Sequence, residues 1–255
     1  MLALLVATSA AGCVTLTAGG QASVERVWQA TRVWVPATPA VSGGRVGELE
    51  RTLEAIPRDP RLPSVIYLHG CRGFEDDLTV WAGALTGAGY AVFAPDARAR
   101  GGPAPACDGP MLYTRDDIAR FAQREAEVRY VVQQMWTLAW VAPEAVFLLG
   151  FDQGGVVAAG WRERQFAGIV VTGWTCTAPD MRGGLLTPAD RPLLAIRWER
   201  DPFFRDPAWN GDCEVHLGSR PGSRSIVLEG EGHATAASPE AREAVLRFLR
   251  ARTLR

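Results

Sequence analysis

The sequence predicts an α/β fold: a doubly wound, mostly parallel sheet forming a single domain without a large cap. Three observations carry this. Short apolar runs that stop at glycine alternate along the chain with stretches of helical periodicity, the pattern of strands crossing over through helices. No internal repeat and no long linker divides the 255 residues. That length is enough for one α/β domain to bury a full core.

The elements follow in order. Residues 27–35 (VWQATRVWV) alternate well enough for an edge strand. SVIYLHG, from Ser64, is a short apolar run typical of a buried parallel strand. DDLTVWAGALTGAG carries apolar residues at helical spacing and stops at glycine, and YAVFAPD is a second buried strand. A Gly/Pro-rich loop (GGPAPACDGP) leads into a long amphipathic helix from Thr114, its expected N-cap, with acidic residues in the first turn. AVFLLG reads as a strand and QGGVVAAGWRER as a helix. AGIVVTGW, PLLAIRW and SRSIVLEG are three further strands. The closing helix is SPEAREAVLRFLRAR, capped by Ser238 with Pro239 at its first position.

The composition excludes some partners. Net charge is −1, the pI is about 6.3 and every basic side chain other than histidine is arginine. No basic excess exists to neutralise phosphates, so nucleic acid is not expected. The first residues, MLALLVATSAAGC, form an apolar run ending in small residues and a cysteine. This reads as an export signal over 1–13 with a lipobox-like AAGC, which makes Cys13 the lipidated residue and anchors a periplasmic protein to a membrane. Residues 14–24 are small and polar, read as a tether, and the globular domain is expected over 25–255. Cys71, Cys107, Cys176 and Cys213 remain. An even number in an oxidising compartment suggests two bridges, with three connectivities open.

VFLLGFDQGGVVAAG is the most informative segment. An apolar strand, then Gly150-Phe151-Asp152-Gln153-Gly154, then a helix is the pattern of a nucleophile elbow. The turn is so tight that side chains flanking the central residue would clash, hence the glycines. It lifts residue 152 to a helix N-terminus, where free amides favour an anion. His69-Gly70-Cys71-Arg72-Gly73 ends the strand SVIYL, where an oxyanion loop is expected. The amides of Cys71 and Gln153 are the candidate donors, and His69 is read as a prop for that loop. Strand PLLAIRW runs into Asp201, and Gly230-Glu231-Gly232-His233 follows the last strand. The order nucleophile, acid, histidine is that of the α/β-hydrolase fold.

On LHGCRG, GYAVFAPD, GFDQGG, the Asp-Pro after PLLAIRW and EGEGH, the chain resembles the dienelactone-hydrolase-like branch of the α/β-hydrolases over roughly residues 60–252. The resemblance implies a hydrolase with Asp152, Asp201 and His233 as the catalytic set. Secreted members of the branch are similar in carrying HGC early and a cysteine after the PD strand, here Cys71 and Cys107. This implies pairing of Cys71 with Cys107, and of Cys176 with Cys213, at loops bordering the site.

The branch has serine or cysteine in the elbow, whereas this chain has Asp152. A carboxylate attacking an acyl carbonyl leaves again more easily than an alkoxide does, so serine-type acyl transfer is poorly served. Three readings follow. The first is a weak or atypical hydrolase of ester-like small molecules, with Asp152 or His233 activating water beside an intact oxyanion hole. The second is a protein that has lost its chemistry and binds a ligand or serves structure, with His233 ion-paired between Asp152 and Asp201. The third is an aspartyl nucleophile acting on sp³ carbon, with His233 activating the water that releases the intermediate. No HExxH or CxxC spacing implies a metal, and no GxGxxG follows a strand to imply a dinucleotide. The expected partner is a small-molecule substrate or ligand. Oligomeric state is not legible.

Overall fold

The apolar runs become adjacent strands because both faces of each are covered. In the computed structural model, which describes residues 18–102, 107, 115–177 and 184–253, they build one eight-stranded sheet. Its strands are β1 (Arg32–Trp34), β2 (Gly44–Arg45), β3 (Leu62–Leu68), β4 (Ala91–Ala94), β5 (Val141–Phe151), β6 (Gly168–Thr172), β7 (Leu193–Arg200) and β8 (Arg224–Glu231). The order is β2-β1-β4-β3-β5-β6-β7-β8. β1 runs antiparallel to β2 and β4, and every other pairing is parallel.

Side chains alternate across the sheet into two cores. Ile66, Leu68, Leu148, Ile169 and Val171 face one side, where they meet α1 (Ala18–Ala30), α4 (Arg115–Met135) and α5 (Gln153–Ala159). Val65, Tyr67, Phe147, Leu149 and Val170 face the other, against α3 (Asp76–Gly87) and α7 (Pro239–Thr253). A sheet covered on both faces needs strands apolar throughout, which is why these runs read as continuous rather than alternating. The α/β expectation is met, with the parallel strand ends gathered along one edge.

The N-terminal part differs from expectation. Residues 18–24, read as tether, belong to α1, and the expected edge strand over 27–35 shrinks to Arg32–Trp34. Val24, Val27 and Trp28 stand at helical spacing and are all buried. Helical burial therefore outweighs the local alternation. A further helix, α2 (Val46–Glu54), was not anticipated, and α5 stops at Ala159, short of Arg164. The Ser238 cap is as expected, its hydroxyl accepting from the Ala241 amide at 3.2 Å. Cys13 and Thr114 lie outside the described residues. Among the described residues no helix is long and apolar enough to cross a membrane.

Candidate active site

β5 turns into α5 through a single residue. Asp152 sits at φ 54°, ψ −119°, a strained backbone for a residue with a side chain. The strain is held by close packing. A Cβ on Gly154 would lie 2.1 Å from the Leu68 carbonyl, and one on Gly150 2.1 Å from the Gly154 carbonyl. Only glycine fits either place, as the G-x-D-x-G spacing suggests. The Asp152 amide donates to the Thr172 carbonyl at 3.0 Å, which ties the turn to β6.

The elbow divides the Asp152 carboxylate between two surroundings. Oδ2 accepts from the Cys71 amide at 2.7 Å, and the nearby Gln153 amide acts on the carboxylate to lower its pKa. Of the two expected oxyanion donors, the Cys71 amide holds the protein's own side chain. Oδ1 lies 3.9 Å from Nε2 of His233, beyond direct hydrogen-bond length. Burial raises the Asp152 pKa above the usual carboxylate value, with His233, the two amides and Arg124 opposing it.

His233 follows β8, bonds Asp201 and lies near Asp152. Its Nδ1 bonds Oδ2 of Asp201 at 2.7 Å, and its ring lies among Phe151 and Phe203, at centroid distances of 4.9 and 4.4 Å. Asp201 also starts a turn: its Oδ1 accepts from the Phe203 amide at 3.0 Å. That second bond fixes the carboxylate and leaves Oδ2 for the histidine. Burial alone would lower the His233 pKa. The hydrogen bond to Asp201 and the charges of Asp152, Asp201 and Asp77 outweigh it and raise the pKa above the ordinary imidazole value. Glu199, two residues before Asp201, is exposed and pairs with Arg200 rather than with His233.

The oxyanion loop is propped from beneath. His69 Nε2 accepts from the Ala97 amide at 3.1 Å and Nδ1 bonds the Gly70 carbonyl at 2.7 Å. Burial and nearby arginines press its pKa down to about 3, so the ring stays neutral. Arg124 of α4 donates to the His69 carbonyl at 2.6 Å. Both bridges form, Cys71–Cys107 and Cys176–Cys213, with Cα separations of 5.7 and 5.0 Å. Trp174 is core, and Trp198 donates to the Ala234 carbonyl at 3.1 Å beneath the histidine loop. Beside the elbow lies a cavity of about 790 Å³, reached by Cys71 and Gln153 and lined by Arg98, Arg100, Arg120 and Arg124. Arg124 was missed in the sequence, although it interrupts the apolar stripe Phe121–Val128–Val131 of α4. Among the described residues no group of three His, Cys, Asp or Glu side chains could hold a metal ion.

The model of a family described as the dienelactone hydrolase family matches residues 51–241. No curated protein sequence matches significantly. Solved structures share the fold. Est1E from Butyrivibrio proteoclasticus, with ferulic acid bound, superposes at TM-score 0.56 with 13% identity, covering 88% of this chain and 95% of that one. A putative dienelactone hydrolase from Klebsiella pneumoniae subsp. pneumoniae MGH 78578 gives 0.53 with 14% identity, covering 77% and 88%. Esterase PE8 gives 0.51 with 19% identity, covering 75% and 93%.

Proposed function

Because the chain belongs to the dienelactone hydrolase family, we propose that it is a hydrolase, with Asp152 as nucleophile in the place of the family's serine or cysteine, acting on saturated carbon. The division of the Asp152 carboxylate carries this reading: one oxygen is held by the Cys71 amide while the other faces His233. An oxyanion hole filled by the protein's own carboxylate does not suit ester hydrolysis, because an ester carbonyl would have to displace Oδ2. It does suit hydrolysis of an ester formed on Asp152 itself.

The chemistry balances in two steps. Oδ1 forms a bond to the saturated carbon as the carbon–leaving-group bond breaks, and the leaving group departs with its electron pair. Water then attacks Cγ of the aspartyl ester while His233 Nε2, oriented by Asp201, takes a proton. Negative charge develops on Oδ2, against the Cys71 amide already bonded to it. Collapse releases the alkoxide, which recovers the proton from His233. The net change is a halide or similar leaving group replaced by hydroxyl, with one proton released.

The test is covalent trapping. His233→Gln should accumulate an alkyl adduct on Asp152, seen by intact-protein and peptide mass spectrometry after incubation with haloalkanoates, haloalkanes and epoxides. A single turnover in ¹⁸O-water should place the label in Asp152 and not in the product. Absence of adduct and label with every compound would overturn the aspartyl mechanism. Family membership favours a second reading, ester-like substrates with His233 acting on water directly. It predicts nitrophenyl-ester turnover without an adduct. We also propose export and a lipid anchor on Cys13; the two bridges support an oxidising compartment.

A further inference from the structure

The carboxylate of Asp77 has no part in the steps above, yet it touches both halves of the site. Asp77 lies in the first turn of α3 and is only 5% exposed. Tyr67 near the end of β3 and Asp77 bracket residues 68–76, the segment whose Cys71 amide holds Asp152. The Tyr67 hydroxyl donates to Asp77 Oδ2 at 2.9 Å, closing that loop at its base. Asp77 Oδ1 accepts from the Ala236 amide at 3.0 Å. Ala236 is three residues beyond His233, in the loop that carries the imidazole.

We propose that Asp77 is a positioning residue, a buried carboxylate that holds the Cys71 loop and the His233 loop at a fixed separation across Asp152. This rests on His233 being the group that activates water there. A tyrosine and a carboxylate are a costly way to fill core space, since apolar side chains of the same volume carry no desolvation cost. Two directed hydrogen bonds to different loops are what the carboxylate adds. Tyr67, Glu75 and His233 face it; Glu75 raises its pKa by charge, while the hydrogen bonds from Ala236 and Tyr67 and the charge of His233 oppose burial. Burial pushes its pKa up to about 6, so at neutral pH it is mostly ionised and accepts at both oxygens. It thereby joins Asp152 and Asp201 as a third negative group acting on His233.

The experiment needs no substrate. The chain has three histidines, so the His233 signal can be followed by NMR titration in selectively labelled protein, together with hydrogen exchange at the Ala236 amide. Asp77→Asn keeps an acceptor for Ala236 and removes the charge; Asp77→Ala removes both. The His233 midpoint should fall in both variants, by roughly half a unit or more. Ala236 exchange should speed up at least about tenfold in Asp77→Ala and stay slow in Asp77→Asn. His216, exposed on α6 (Glu214–Leu217), is the internal control. An unmoved His233 midpoint in Asp77→Asn, or a protected Ala236 amide in folded Asp77→Ala, would overturn the proposal. If Asp77→Ala does not fold, the Asp77→Asn titration alone decides. Failure of the trapping experiment above would remove the aspartyl mechanism and leave this outcome readable.

Discussion

The Cys71 amide and Asp152 Oδ2 are bonded at 2.7 Å in the resting protein. A donor of the kind that serves a transient oxyanion is therefore engaged before any substrate arrives. The carboxylate is anchored at one oxygen, and its rotation is lost in advance of the reaction rather than during it.

Replacing Asp152 separates the readings. Asp152→Asn keeps the shape and loses the nucleophile, so turnover of a haloalkanoate or epoxide should fall by at least about a thousandfold. Asp152→Ser should lose the same activity, because a seryl ether cannot be released by the water step. It also frees the Cys71 amide, so short-chain nitrophenyl-ester cleavage should rise above that of the wild-type protein. Steady-state kinetics on both substrate types check each half.

The pH dependence follows from His233. Its pKa is raised above the ordinary 6.5, and the water step needs the neutral ring. The rate should climb with pH and level off only above that raised value. Stability runs the other way. A raised folded-state pKa gives stabilisation that is full below the unfolded value and is lost as pH rises through the folded one. Asp201→Asn removes the hydrogen-bonding carboxylate and should move the rate midpoint to lower pH. Profiles of kcat and of thermal midpoint against pH check both directions.

Each bridge closes a loop of similar length, with sequence separations of 36 and 37. By loop-closure entropy each should contribute about 3–4 kcal/mol. Denaturant titration with and without reductant reads the sum. The double variant Cys71→Ser/Cys107→Ser should also lower activity, since Cys71 carries the amide bonded to Asp152.

Gly154→Ala should destabilise by about 3 kcal/mol or more, because the new Cβ would meet the Leu68 carbonyl at 2.1 Å and backbone must move. Gly83→Ala is the matched control. It lies within α3 with nothing within 4 Å of the new methyl, and should stabilise by about 0.5–1 kcal/mol. Chemical denaturation of the two variants provides the comparison.

The parts of the site written in short range were legible. The glycines at 150 and 154 announce the elbow because the crowding they relieve is between near neighbours. Asp201 and His233 were found because parallel strands deliver their C-terminal ends to one edge, which makes chain order a spatial statement. The partition of the Asp152 carboxylate was not legible: it depends on a side-chain torsion and on a loop 81 residues away. Asp77 resembled an ordinary acidic first-turn residue, and only the return of the chain at Ala236 distinguishes it. Helix α1 was missed because VWQATRVWV satisfies two periods at once, and the burial of Val24, Val27 and Trp28 decides between them.

The Cys71–Cys107 bridge makes the order of maturation matter. The half-cystine is the same residue whose amide grips Asp152. A newly made chain with free thiols thus carries its carboxylate beside an unfastened partner. Under the export proposed above, oxidation would act as a commissioning step that completes the anion cradle.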